Sequence, residues 1–272
     1  MKLIGFASMN GGTGKSSLLI MTANCLAAAG FRVLVIDITL NKSVSFYYLN
    51  SETEKAVEYK NIDLALSKPD NKLDDYILLT DKFYVDIIPA SFDSVELRNL
   101  PLQHFTEMLA ELKDQYDFVF IDMQSGYDGS ALSLYNASDL IIRPVRPCFF
   151  DFAAESFFHD ITETDIRHGS CRLCINGYSA GEKRNEADDA SIAEKEYIER
   201  FCKSFQTVLS SAFVPFTSAV RAITDTNRNM VLRENGSTKI KDGIVVQPEL
   251  FNVVYNLAQT IHGGHFNKPE EF

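Results

Sequence analysis

The sequence predicts an α/β fold, a mostly parallel sheet covered by helices on both faces, and three observations carry that reading. Short apolar runs alternate with helical patterns along nearly the whole chain. Two of those runs, Arg32–Asp37 and Tyr116–Asp122, end in an aspartate. Between the first run and the first helical pattern lies Met9-Asn10-Gly11-Gly12-Thr13-Gly14-Lys15-Ser16-Ser17. No internal repeat and no linker interrupts the alternation, so one domain over residues 1–272 is expected.

Taken in order, Leu3–Ala7 reads as a buried strand, and Leu18–Ala29 as a helix closed by Gly30. Strand, glycine loop, then Lys-Ser opening a helix is the context in which a loop binds phosphate. Glycines let successive backbone N–H groups turn inward, and the helix N-terminus adds its positive dipole end. In this pattern Lys15 reaches the terminal phosphates and the Ser16 hydroxyl holds Mg²⁺. Arg32–Asp37 is the second strand. A carboxylate at its C-terminal tip lies where parallel sheets bind ligands, so Asp37 is a candidate for the metal or its water. The alternatives for Asp37 are a helix N-cap or a solvated loop acid.

Residues 38–50 form a loop running into a short helix, 51–60 a solvated segment, 61–66 another short helix, and 69–71 a turn. Phe83–Pro89 is a third strand stopped by proline. A helical spacing over Leu102–Leu112 precedes the fourth strand, Tyr116–Asp122. Leu140–Val145 follows as a strand, Phe149–Ile161 as a Phe-rich helix, and Arg172–Asn176 as a strand. Gly181–Arg200, with seven acids against four bases, is expected to be a solvated loop and helix, the likeliest insertion on the core. Val208–Pro215 is the last clear strand. Pro248 starts a final helix whose Leu250, Val253, Val254, Leu257 and Ile261 form one apolar stripe, and 263–272 is expected to be a mobile tail.

A net charge of −11, from 37 acidic and 26 basic residues, opposes broad nucleic-acid binding. The one basic neighbourhood is 221–241, with Arg221, Arg228, Arg233, Lys239 and Lys241; any DNA contact there would be to phosphates. No apolar run approaches the roughly 18 residues of a membrane span. The N-terminus leads straight into the first strand, so no signal peptide is expected, and five scattered cysteines suit a reducing cytoplasm. Cys171 and Cys174 have CxxC spacing, but strand alternation sends them to opposite faces and no second pair completes a zinc site. The final helix lacks the Lys/Arg-rich polar face of a membrane-surface helix, so its stripe is read as core packing.

These residues resemble a known family, the ParA/MinD ATPases with their deviant phosphate loop. Asn10–Ser17 is similar to its Lys-Gly-Gly-x-Gly-Lys-(Ser/Thr)-(Ser/Thr), and Asp37–Ser43 sits where it carries Asp-x-Asp-Pro-Gln-Gly-Asn. Ile87–Ser91, Tyr116–Asp122, Arg143–Pro147, Asn176 and Val214-Pro215 fall in its order and spacing. The resemblance implies a P-loop NTPase three-layer sandwich that binds ATP and Mg²⁺, as a homodimer with nucleotide at the interface. It implies partitioning or positioning of a plasmid, chromosome or protein assembly through a cargo or adaptor protein. By position, Asn10, Gly11, Gly12, Thr13, Gly14, Lys15, Ser16 and Ser17 would hold phosphates, with Ser16 and Asp122 at the metal. Asn176 would read the adenine edge, with Val214 and Pro215 along the base.

The departures are specific. The family's signature lysine, which reaches the partner's phosphates, is Asn10 here, and its water-orienting aspartate is Thr39. Both losses predict slow ATP hydrolysis at most. Lys42 and Arg146 are basic residues outside the usual pattern, and Arg146 is the candidate for a phosphate contact in trans. Two other readings stand beside this one. The first is a hydrolysis-impaired localisation scaffold, like the pilus-assembly members of the superfamily. The second is a P-loop kinase or transferase acting on a small molecule.

Overall fold

The structure is a computed structural model. It describes all residues except 69, 93–101, 128–130, 163–164, 167–169, 179–188, 210–212, 216–228, 233–242 and 247. Five of its strands are β1 (Lys2–Phe6), β2 (Val33–Asp37), β3 (Asp86–Ile88), β4 (Phe118–Asp122) and β5 (Leu140–Val145). With β6 (Cys171–Tyr178) and β7 (Val214–Pro215) they form one sheet in the order β3-β2-β4-β1-β5-β6-β7, every pair parallel. Their continuous apolar sequences are what a sheet covered on both faces requires. β8 (Asn229–Leu232) and β9 (Gly243–Val246) form a separate pair, also parallel.

Helix α1 (Lys15–Ala28) connects β1 to β2, and α2 (Ser43–Tyr48), α3 (Thr53–Ala56) and α4 (Ile62–Leu66) lie between β2 and β3. Helices α5 (Leu102–Ala110), α6 (Leu132–Ala137), α7 (Phe149–Thr162), α8 (Asp189–Ser204) and α9 (Pro248–His262) follow. Strand alternation divides the core. Ile4, Phe6, Val35 and Phe120 pack with α1, α2 and α9, whereas Leu3, Leu34, Ile121 and Ile141 pack with α4, α5, α6 and α7. The chain leaves β1 toward β2 on one side and returns to β5 on the other. The phosphate-type loop therefore sits at the switch of strand order, where such sheets bind ligands.

Several expectations are corrected. The third strand is shorter than Phe83–Pro89: Phe83 and Tyr84 have φ of 50° and 57°, and the Val85 N–H donates to Lys82 O at 2.9 Å. That tight turn folds Leu78 back as an antiparallel bridge to Ile87. The last strand of the main sheet is only Val214–Pro215, with Val208 bridging Leu173 separately. Of the expected solvated loop and helix, 181–188 lies outside the described residues, and the rest is the part of α8 in which residues 192–200 are exposed or half-buried. That helix is anchored, because its Phe201 is buried against Phe152 and Phe205. The segment 263–272 is not a free end. Phe272 is 1% exposed and lies 4.4 Å from Phe251, Phe266 packs edge-on to Tyr255, and Lys268 bonds Asn252.

The apolar stripe of α9 is core: Leu250, Val254, Leu257 and Ile261 are buried together with α1. Each such side chain contributes about 1.5–3 kcal/mol as an upper bound. Among the described residues no helix is long and apolar enough to cross a membrane. The basic side chains Arg221, Arg228, Arg233, Lys239 and Lys241 lie outside the described residues.

Candidate functional site

The loop after β1 takes its shape from two glycines. Gly12 has φ 72° and Gly14 φ 88°, left-handed values that other residues adopt only at a cost. A Cβ on Gly11 or Gly12 would meet nothing within 4 Å, so the loop presents bare backbone to open space. Gly14 is different, because a Cβ there would lie 1.9 Å from Asn176 Nδ2. Gly14 also stands at the N-terminus of α1, where no side chain caps the first turn. Those uncapped N–H groups and the helix dipole favour an anion.

Next to this cradle, the Lys15 ammonium pairs with Asp122 Oδ1, and the Ser16 hydroxyl donates to Asp122 Oδ2 at 2.7 Å. Asp122 is fully buried at the tip of β4, which lies beside β1 with Phe6 opposite Asp122. Lys15 is also buried. A buried pair of this kind is costly to break one-sidedly, since the remaining charge is left without compensation.

Asp37 stands in register with Asp122 on the neighbouring strand, yet its oxygens point into a different segment. Oδ1 accepts from the Thr39 N–H at 2.9 Å and the Thr39 hydroxyl at 2.7 Å. Oδ2 accepts from the Ser45 N–H at 3.0 Å and the Ser45 hydroxyl at 2.8 Å. Burial, and then the charge of Asp122, raise the Asp37 carboxyl above its ordinary range against the pull of these bonds. In this structure its four bonds make Asp37 the anchor of residues 39–45, whereas Asp122 gathers Lys15 and Ser16. Ser45, absent from the sequence reading, completes that anchor and also accepts from the Ala90 N–H at 3.0 Å.

Asn10 joins a second cluster. Its amide donates to Asp151 Oδ1 at 2.8 Å, and the same carboxylate takes Arg146 through Nη2 at 2.8 Å and Nε at 3.0 Å. The Arg146 backbone N–H adds a bond of 2.7 Å. Burial alone would raise the Asp151 carboxyl, but the bonds from Arg146 and Asn10 outweigh it and hold it below the usual range. Arg146, expected to face a partner's phosphate, is therefore held in its own chain, though its side chain stays 42% exposed. Sequence reasoning missed Asp151. A lone acid inside Phe149-Phe150-Asp151-Phe152 was the available signal.

Asn176 reaches the loop, its amide donating to Thr13 O at 2.5 Å. Val214 and Pro215 lie beside Asn176 and Tyr178 on β7, but Val214 is fully buried in the core and only Pro215 is partly open. Lys42 is committed elsewhere: its ammonium donates to Phe92 O at 2.8 Å.

These residues fit a nucleotide's phosphates and a magnesium ion. Thr13 Oγ1 is buried without a hydrogen-bond partner among the described residues, inside a loop whose glycines leave room for an anion. One carboxylate with one hydroxyl, Asp122 with Ser16, is the sparse protein set magnesium takes when phosphates supply the rest.

A family model described as "AAA domain" matches residues 1–166. The chain is 28% identical over 149 residues to the maintenance of carboxysome distribution protein A of Synechococcus elongatus, covering 54% of this chain and 58% of that one. It is 26% identical over 183 residues to the sporulation initiation inhibitor protein Soj of Bacillus subtilis, covering 65% and 70%. The first of these matches thus spans less than two thirds of its relative's length. The septum site-determining protein MinD of Pyrococcus horikoshii, complexed with Mg-ADP, shares the fold at a TM-score of 0.59 and 20% identity, covering 83% and 86%.

Proposed function

Because the chain belongs to the AAA domain family, as a ParA/MinD-like P-loop ATPase, we propose that it is a nucleotide switch. It binds ATP with magnesium, pairs with a second copy around the nucleotide, and positions or partitions a cellular cargo. One observation carries the reading: an open glycine loop beside a buried Asp122 that gathers both Lys15 and Ser16. Gly11 to Ser17 would hold the phosphates, and Ser16 with Asp122 the metal. When bound, ATP–Mg²⁺ supplies a transferable phosphoryl group whose charge the metal neutralises. Lys15 would turn from Asp122 to the phosphates, and Asn176 would fix the loop from the base side.

Hydrolysis is slow in this proposal. The Thr39 hydroxyl is spent on Asp37 and offers no carboxylate to orient water, and Asn10 brings no charge. Arg146, steadied by Asp151 at the rim, is the cation offered to a partner's phosphate. Phe150, Phe157 and Ile161 stand on one side of α7, exposed by 74%, 58% and 42%, and Asn10 bonds the Phe150 carbonyl. Such an apolar stripe at the mouth of the site suits a face covered by a second copy. The names of the similar relatives, carboxysome distribution and sporulation control, fit a positioning role.

Size-exclusion chromatography with and without ATP–Mg²⁺, with the bound nucleotide extracted, tests the switch. A shift to dimer with ATP in the peak is expected, and the absence of ATP from the protein peak overturns the reading. Asn10 and Thr39 also favour the scaffold reading, and a turnover assay separates the two. Slow but Lys15-dependent hydrolysis supports the switch, whereas ATP binding with none supports the scaffold.

A further inference from the structure

On the face of β5 and β6 opposite Asn176 lies a second polar site, away from the glycine loop. Arg143, in the middle of β5, is 1% exposed, a position where buried strands of a parallel sheet ordinarily carry an apolar residue. Its Nε and Nη2 donate to the two oxygens of Glu155 on α7 at 3.0 and 2.7 Å, and Nη1 donates to the Tyr135 hydroxyl at 2.7 Å. The face of its guanidinium lies 3.6 Å from the Phe158 ring centroid. A guanidinium has five N–H donors. Three are used, and the other two have no partner among the described residues.

Arg143 and Glu155 line a cavity of about 390 Å³, whose walls also include His159, Leu173, Phe205 and, at the exposed rim, Ser204. That volume lies in the range of small-molecule sites. A buried ion pair costs more than aliphatic residues of the same shape would, and buried donors left unpaired add to the cost. Core packing therefore accounts for neither the charges nor the spare donors. Sequence alternation keeps this site off the nucleotide face: Arg143 and Leu173 point one way, Cys174 and Asn176 the other.

We propose that this cavity is a second ligand site, built for a small, planar, uncharged molecule with an amide edge. The spare N–H groups of Arg143 meet a carbonyl, and the second lone pairs of the Glu155 oxygens meet the adjoining N–H. Leu173 and Phe205 supply the apolar walls that suit a flat ring. Because Arg143 and Glu155 neutralise each other, an anion gains no net attraction, which sets this site apart from the glycine loop.

The test uses the full chain without nucleotide and uracil as the probe, with benzoate as a planar anion control, read by ligand-observed NMR titration. Uracil is expected to bind at millimolar concentration or below, at least tenfold tighter than benzoate. Ser204→Trp, at the exposed rim, should fill the cavity and remove uracil binding while far-UV circular dichroism stays native. Glu155→Gln, which keeps the shape but unbalances the donors and acceptors, should weaken uracil at least tenfold. The proposal is overturned if uracil shows no saturable binding, if benzoate binds as tightly, or if folded Ser204→Trp binds uracil as well as the parent. Competition by ATP for the uracil signal would also overturn it, by placing the probe in the glycine loop.

Discussion

At the tips of two adjacent strands stand two fully buried aspartates in register, Asp37 on β2 and Asp122 on β4, and they serve different segments. Asp37 spends four acceptor bonds on the residues that follow it, Thr39 and Ser45. Asp122 instead takes its donors from Lys15 and Ser16, which open α1 after the glycine loop. A buried carboxylate must find donors, and it takes the nearest. After β2 the chain turns back with hydroxyl residues. After β4 it runs on through Met123, whose N–H donates to Phe6 O, and Gln124, whose Oε1 accepts from the Leu40 N–H. The same strand-ending acid therefore becomes a loop anchor in one place and the floor of the proposed phosphate site in the other.

The largest effect expected from this comparison is at Lys15. Lys15→Ala leaves the Asp122 charge buried with only Ser16 as a partner, and should cost about 3–5 kcal/mol of unfolding free energy. Adding Asp122→Asn removes the orphaned charge, so the double variant should be markedly more stable than the sum of the single losses predicts. Urea unfolding of the four proteins at neutral pH measures the coupling. Strict additivity would mean that Lys15 and Asp122 are not paired in solution.

A smaller effect separates the two acids by function. Asp37→Asn keeps an acceptor for one donor pair and turns an amide N–H toward the other, which should cost about 1–3 kcal/mol through the 39–45 loop. Its influence on ATP affinity should be similar with and without magnesium. Asp122→Asn should act mainly on the magnesium-dependent part of that affinity. Titration calorimetry with ATP, with and without magnesium, gives the comparison. Equal magnesium dependence in both variants would return Asp37 to the metal.

The fold was legible because it rests on period and punctuation. Continuous apolar runs gave the parallel strands, Gly30 ended α1, and the stripe of Leu250, Val254, Leu257 and Ile261 gave a core helix. The glycine loop was legible from context, because strand, glycines and Lys-Ser occur together for a chemical reason. What escaped were long-range donors and acceptors. Nothing in Asp37 itself announces Ser45 eight residues on, and nothing in Asn10 announces Asp151. The tail was misread for the same reason: a polar, glycine-containing end gives no local sign that Phe272 will meet Phe251.

The smallest effect concerns a third aspartate, Asp151, whose shift has the opposite sign to that of Asp37. The Asp151 carboxyl is held below its ordinary value, so its bonds with Arg146 and Asn10 contribute stability above the unfolded carboxylate pKa of 3.8. That contribution is lost as pH falls below 3.8 toward the depressed folded value. Asp37, raised by burial, acts in reverse: its contribution is lost as pH rises above the ordinary carboxylate range. The Asp151 contribution is therefore isolated by comparing Arg146→Ala with the parent at each pH, so that Asp37 cancels. Arg146 is partly exposed, and the difference at pH 7 should be no more than about 1 kcal/mol. It should hold steady down to about pH 5 and shrink below the ordinary carboxylate pKa, as Asp151 takes up its proton in the parent. Chemical unfolding at stepped pH measures it, and a difference that does not change with pH would mean that Arg146 stabilises by packing rather than by charge.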